Sequence, residues 1–405
     1  MFRRPFPLLA LHDALLSALH RSLHSLAVRR TLCAFLLPAA LLGACASGPR
    51  APEPAPLGPD PARLAVRTAW TRHLGTVGLT LRPAWKADVL TVANAAGTVL
   101  ALRASTGEEL WRVDVGHPLS AGVGSDGRRA AVVTQDNVLV ALDDKGVSWK
   151  QPLSTQVITP PLVAGERVFV LGGDRSVMAF DGKTGHRLWR FHRHEEALVL
   201  GQPSVLMAVG DTLVVAQSGH LIGLHPATAS VLWDAPLATP RETSDIDRLV
   251  DLVEGVSRNG YEVCVRAYHY GVGCVSALHG GISWSKSSQG HVGLSGDARW
   301  VYGVDSDGTL RSWRRSDGEP GWTNTDLRYR KLGRAVLAGD VLVVGDDNGM
   351  LHWFSSADGA ALARSTTDGS AIVGSPLWAD SLLIAVTRHG GVYAFGTAPA
   401  NAASR

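Results

Sequence analysis

Apolar positions along this chain alternate with polar ones in short runs, and the runs recur as a unit. Each unit is an apolar strand, a tight turn, a strand of alternating small and large apolar residues, a Gly-containing turn and then a Trp. Val99-Leu100-Ala101-Leu102 and Val177-Met178-Ala179-Phe180 show the alternation, and a period of two marks strands. The inner strand pairs end at Leu102, Leu142, Phe180, Leu224, Leu278, Trp313, Phe354 and Phe395. A nine-residue step leads from Leu102 to Trp111, Phe180 to Trp189, Leu224 to Trp233 and Trp313 to Trp322, and from Phe354 to Ala363, where Ala replaces the Trp. The steps from Leu142 to Trp149 and from Leu278 to Trp284 are shorter. The turns are polar strings such as Asp174-Arg175, Ser306-Asp307-Gly308, Asp347-Asn348-Gly349 and Arg388-His389-Gly390-Gly391, whose residues tolerate the positive φ of tight hairpins.

An all-strand repeat of about forty residues predicts a β-propeller. Residues 65–397 divided among eight copies give about 42 per blade, within the propeller range. The eighth copy, Gly391-Val392-Tyr393-Ala394-Phe395, is followed only by a short tail, residues 398–405, expected to be disordered. Its outer strand is missing there, and residues 65–74, with Trp70 in an outer-strand setting, supply it. The expected fold is all-β: eight four-stranded antiparallel blades, with the ring closed by an N-terminal strand so that no sheet edge is left at the seam. Such a platform suits binding better than catalysis.

The start of the chain changes the picture. Arg29-Arg30 precede an apolar run, residues 31–42, too short to span a bilayer, which ends in Leu42-Gly43-Ala44-Cys45. This resembles the bacterial lipoprotein signal. In that family the Cys sulfur, here Cys45, is acylated and the bond before it is cut, and each buried CH₂ of the acyl chains adds about 0.8 kcal/mol of anchoring. Ala46, where an Asp would favour inner-membrane retention, implies the outer membrane. Residues 29–44 are thus expected to be the signal peptide. Residues 1–28 are a start codon set too early, with Val28 as a candidate start, or a long leader. Residues 45–64, rich in Pro, Ala and Gly after the Cys, are a flexible tether.

With 405 residues, 45% hydrophobic and 19% charged, the chain can bury a large core, and a formal charge of +3 points to neither nucleic acid nor an acidic substrate. Cys33 and Cys45 belong to export. Cys264 and Cys274 flank a hairpin tip around residues 268–271, and an oxidising compartment allows them to pair, or they remain two buried thiols.

Several strings imitate chemistry. Gly122-Val123-Gly124-Ser125-Asp126-Gly127 matches a dinucleotide fingerprint, but a strand rather than a helix follows, so it is expected to be a turn. Gly182-Lys183-Thr184 lacks the earlier Gly of a P-loop, and Asp305-Ser306-Asp307-Gly308 is too short for a calcium loop. His192 and His194 have no partners at zinc-binding spacing, and no metal is expected. The Trp row is expected to staple blades together, each residue burying a large apolar area.

The rhythm breaks once. Trp233 to Trp284 spans 51 residues, and the surplus is the charged segment 238–251. Loops that interrupt a rigid repeat carry function more often than the frame does. Ile246-Asp247-Arg248-Leu249-Val250-Asp251 lies in this insertion, and Leu342-Val343-Val344-Gly345-Asp346 runs on to Gly349-Met350-Leu351-His352-Trp353. Together with the lipoprotein Cys and eight quinoprotein-like blades, these strings resemble the outer-membrane protein assembly factor B (BamB) family. The resemblance implies a non-catalytic scaffold lipoprotein without a cofactor. It would be a monomer within a hetero-complex, on the periplasmic side of the outer membrane, binding the periplasmic POTRA domains of BamA, the barrel that inserts outer-membrane proteins, and in contact with unfolded barrel substrates.

The resemblance further implies that two neighbouring loops make the BamA contact. One holds Asp247, Arg248, Leu249 and Asp251; Val253 stands where the family has a second Asp. The other aligns with Leu198-Val199-Leu200-Gly201, with Leu200 in place of an Arg. The alternative reading is a periplasmic dehydrogenase dependent on pyrroloquinoline quinone. Such enzymes are longer and usually carry adjacent Cys near the cofactor, a pair this chain lacks.

Overall fold

A computed structural model describes residues 52–78, 80–193, 200–238 and 250–399, and these form the all-β ring expected from the repeat. Eight four-stranded sheets, each antiparallel throughout, follow one another as blades. Blade 1 holds β2 (Ala84–Lys86), β3 (Val89–Ala93), β4 (Thr98–Arg103) and β5 (Glu109–Asp114), from the channel outward. The middle strands are buried on both faces, because each blade is sandwiched between two others. Outer strands such as β5 alternate between covered and exposed positions. The core therefore lies between blades: Phe169, Val177 and Ala179 of blade 3 pack on Leu213, Val215 and Ile222 of blade 4.

The ring closes as the sequence implies. β1 (Leu64–His73) pairs antiparallel with β32 (Gly391–Pro399) as the outer strand of blade 8, from Leu64 opposite Pro399 to His73 opposite Gly391. The paired blade thus runs past residue 397, and Ala398 and Pro399 belong to the sheet rather than to a disordered tail. The tether prediction also needs correction. Ala55 N–H donates to the Arg328 C=O at 2.8 Å, Arg364 Nη1 to the Gly58 C=O at 2.5 Å, and Arg63 N–H to the Leu362 C=O at 2.8 Å. Leu57 packs on the cluster of Tyr302 and Leu342. From Ala55 onward the chain is strapped along blades 6 and 7, because its backbone groups and one leucine find partners there. Residues 1–51, including Cys45 and the signal segment, lie outside the described residues.

Five outer-strand Trp residues sit opposite an Ala or Gly of the third strand: Trp70 on Ala394, Trp111 on Ala101, Trp149 on Ala141, Trp189 on Ala179 and Trp233 on Gly223. The indole then reaches the next blade. Trp149 Nε1–H donates to the Gly182 C=O at 2.9 Å, and its ring covers Gly185, whose φ is +74° and where a Cβ would come within 2.6 Å of the indole. Only glycine meets both demands at no steric cost. The contact recurs from Trp70 to Ala104 and Gly107, Trp233 to Ala277 and Gly280, Trp284 to Arg315 and Gly318, and Trp322 to Ser356 and Gly359. Blade 7 inverts the pair, with Trp353 in the third strand facing Ala363 in the outer one.

Two predicted positions shift. The third strand of blade 5, β20 (Gly271–Ser276), ends before Leu278, which is largely exposed in the following turn. Val275 holds the place given to Leu278, pairing with Ile282 as Leu102 pairs with Glu109, so blade 5 keeps the nine-residue step to Trp284. Gly122-Val123-Gly124 lie within a strand, β6 (Leu119–Ser125), and not in a turn. A Cβ on Gly124 would meet the Pro161 C=O at 2.0 Å, so close approach of blade 3 explains this glycine. Cys264 and Cys274 are register partners on adjacent strands and are joined as a disulfide, Cα to Cα 3.9 Å.

Trp149→Ala removes a buried indole and its carbonyl contact and should cost about 3–5 kcal/mol. Trp111 is half-buried, and the following turn, around Gly146, is shorter; Trp111→Ala should cost clearly less. Urea unfolding of both variants compares them, and equal losses would refute the staple. Trypsin cuts after Arg266, so a non-reducing digest should hold the Cys264 and Cys274 peptides together until reduction.

Candidate functional site

In a four-stranded antiparallel blade, the incoming connector and the turn between the second and third strands lie at the same end. All eight connectors and these hairpin turns therefore share one face of the ring. The two unusual connectors, blade 3 to blade 4 and blade 4 to blade 5, are neighbours there. They contain the segments 194–199 and 239–249, which lie outside the described residues. Leu198, Val199, Asp247, Arg248 and Leu249 fall within them.

The structure shows what holds the roots of both loops. Arg175, at the hairpin turn of blade 3 with φ +61°, donates from Nη2 to Asp251 Oδ1 at 3.0 Å. The other carboxylate oxygen accepts the Leu200 N–H at 2.8 Å. Arg175 Nη1 also contacts Ser218 Oγ, and the Arg175 C=O accepts from Gln217 Nε2 at 2.7 Å. Leu200 and Asp251, both expected at a partner contact, are thus brought together. Asp251 is 8% exposed and faces inward. Its expected role as a surface contact is corrected to that of a tie between the loops, because its carboxylate is taken up by a guanidinium and a backbone N–H. Removing one member of so buried a pair leaves the other charge uncompensated, a loss of about 3–5 kcal/mol.

Beyond Asp251 the connector is zipped to blades 4 and 5. Leu252 N–H donates to the Ser218 C=O, Val253 N–H to the Arg266 C=O, and Tyr268 N–H to the Asp251 C=O. Val253, where the family pattern has an Asp, is 2% exposed and bridged to Ser204. An apolar residue suits that buried position. Sequence reasoning missed Arg175; its one signal was an Arg in a turn slot that favours Gly, Asn or Asp.

The Leu342–Trp353 string is structural. Asp346 Oδ1 accepts the N–H groups of Asn348 and Met350 at 3.0 and 2.9 Å, and Oδ2 lies 3.0 Å from His352 Nε2. Asp346 and His352 are buried. The turn strings Gly182-Lys183-Thr184 and Asp305-Ser306-Asp307-Gly308 form hairpin turns, with Asp181 accepting the Lys183 and Thr184 N–H groups.

Comparison with known proteins places this geometry. A family model described as "Outer membrane protein assembly factor BamB" matches residues 95–324. A BamB of Burkholderia pseudomallei is 32% identical over 346 residues, covering 84% of this chain and 91% of the relative.

The chain belongs to the BamB family of outer-membrane protein assembly factors.

A BamB of Bordetella pertussis is also 32% identical, over 81% of this chain and 86% of the relative. The crystal structure of BamB from Moraxella catarrhalis superposes with a TM-score of 0.75 at 22% identity, covering 82% of this chain and all of that one. A quinohemoprotein alcohol dehydrogenase from Comamonas testosteroni shares the fold alone, with a TM-score of 0.62 at 14% identity over 82% of this chain and 76% of that one. The cavity at the channel mouth is lined by Arg82, Arg334, Lys331, Glu254, His291 and several Gly and Pro residues, and its described lining holds no Trp, Tyr or Phe. The Cys264–Cys274 disulfide is fully buried inside blade 5 and offers no face to a ligand.

Burial pushes the Asp346 carboxyl upward, but the contacts from His352, Met350 and Asn348 outweigh it and hold it below the usual range. A depressed carboxyl stabilises the fold above its unfolded value of about 3.9 and loses that contribution as pH falls through the folded value. Asp346→Asn should therefore cost about 1–3 kcal/mol at pH 7. The gap from wild type should close below about pH 4 in urea titrations, and a gap independent of pH would refute the role.

Proposed function

We propose that the protein is a non-catalytic scaffold, anchored by lipid on Cys45 to the periplasmic side of the outer membrane, and that its connector face binds the POTRA domains of BamA. The observation that carries the reading is the Arg175–Asp251–Leu200 tie. It fixes the roots of two neighbouring connectors, one of them carrying the insertion, on an otherwise regular ring, as a protein-binding platform requires. Within these loops Leu249 is the anchor of choice, because desolvated apolar side chains dominate interfaces. Asp247 and Arg248 contribute at the rim, where an exposed pair is worth about 0–1 kcal/mol. Unfolded barrel substrates are a secondary partner, met through strand pairing.

A C-terminally tagged protein, solubilised with native membranes in mild detergent, should co-purify BamA. Leu249→Ala should reduce capture at least about tenfold without changing stability, as expected for an apolar interface anchor. Asp251→Ala should lower both capture and stability, because it unties the loop roots. Full capture by a folded Leu249→Ala, Asp251→Ala double variant would overturn the site, and clean recovery of the propeller without BamA would overturn the function.

A further inference from the structure

The mouth of the central channel, on the connector face, holds a cavity of about 590 Å³ built from six different connectors. Arg82, on the connector into blade 1, points across the ring at Glu254, on the connector into blade 5, with Nε 2.9 Å from Oε2. Arg334, on the connector into blade 7, enters the same space. It donates from Nε to Ser375 Oγ and from Nη1 to the Leu294 C=O, both at 3.2 Å. Lys331 also lines the cavity, its Nζ 4.0 Å from the Asp347 carboxylate at the rim.

Three cationic side chains thus line a space that contains a single carboxylate. The donors are not used up. Arg334 Nη2 and both terminal nitrogens of Arg82 have no hydrogen-bond acceptor among the described residues. Burial pushes the Arg334 guanidinium down from its ordinary value, Glu254 raises it, and Arg82 lowers it again, so the two cations repel one another with one anion between them.

The backbone is shaped to admit these side chains. A Cβ on Gly255 would lie 2.5 Å from Arg334 Cδ, and one on Gly374 would lie 2.2 Å from Arg82 Nη1, with positive φ at both glycines. Two glycines on different connectors therefore make room for two guanidiniums to reach the channel. An internal ion pair needs only one of them.

We propose that the channel mouth is a binding site for a small polyanion bearing at least two anionic oxygens, held between Arg82 and Arg334 with Lys331 at the rim. The unfilled N–H groups supply forked contacts to carboxylate or phosphate oxygens. The low-dielectric walls of a narrow channel concentrate the field of the excess positive charge. Glu254 competes with the ligand for Arg82 and sets its affinity. The site does not depend on the partner reading.

Isothermal titration of the full chain at pH 7 and low ionic strength, with inorganic phosphate in one arm and citrate in the other, tests this. Saturable one-to-one binding is expected in at least one arm, and the arm that responds assigns the ligand to the phosphate or the carboxylate class. Arg334→Gln should weaken it about tenfold or more, as expected for loss of a charged hydrogen bond. Glu254→Gln should tighten it, and Arg112→Gln, on the outer strand of blade 1, should leave it unchanged. Absence of saturable binding in both arms, or equal affinity in Arg334→Gln, overturns the proposal. Should Arg334→Gln fail to fold, Glu254→Gln decides alone: unchanged or weaker binding overturns the site, since a purely structural ion cluster gives no reason for affinity to rise.

Discussion

The ring rests on one recurring contact, an indole laid over the last turn of the next blade. The Trp is opposite a small residue in its own sheet and over a positive-φ glycine in the next, as in Trp149 between Ala141 and Gly185. Its apolar face buries a large area and its N–H satisfies a turn carbonyl that would otherwise be shut away from water. A four-stranded blade cannot bury its two faces alone, and this contact joins one blade to the next in a fixed register. The exceptions obey the same logic. At Trp189 the next turn carries Ala229 at φ +62°, and the N–H still finds the Pro226 C=O. After blade 7 there is no such turn, because the outer strand of blade 8 comes from the other end of the chain. An indole on its outer strand would have nothing to cover, and Ala363 stands there instead, with Trp353 filling the volume from the third strand.

This explains why so much of the fold was legible in the sequence. The staple imposes a spacing from strand end to Trp that depends only on local geometry, so the blades and the closing role of residues 65–74 could be found by counting. Where the spacing was ambiguous, the reading slipped. Leu278 follows an alternating strand and looks like its end, but the strand stops at Ser276 and Val275 holds the register. Gly122 and Gly124 look like turn residues. Their reason is the neighbouring blade, as the Pro161 C=O beside Gly124 shows, and contacts between blades leave no mark on local pattern.

The candidate site was legible by address and not by mechanism. The insertion at 238–251 is plain as a break in rhythm. The inward turn of Asp251 is not, because its partners Arg175 and Leu200 are 76 and 51 residues away along the chain. The strap at residues 55–63 escaped for the same reason, since a Pro-rich, polar composition shows that a segment cannot form its own core but not that blades 6 and 7 will take it in. The charged groups at the channel mouth are the extreme case: Arg82, Glu254 and Arg334 come from three connectors and meet only because the ring closes.

One consequence joins these features. Propeller connectors are free to vary because the staples and the sheet ladders, not the connectors, hold the blades. A long insertion on such a frame would nevertheless spread over many conformations, and ordering it on contact with a partner would consume part of the binding energy. The Arg175–Asp251 pair acts on this point. By tying Leu200 and Asp251 to the hairpin turn of blade 3 it fixes where both connectors rejoin the ring, and a buried charge pair is suited to the task because its geometry is intolerant of slippage. On the proposed reading Asp251 acts on binding indirectly, by presetting the roots of the segments that meet the partner, which is why its loss should appear in capture and in stability at once.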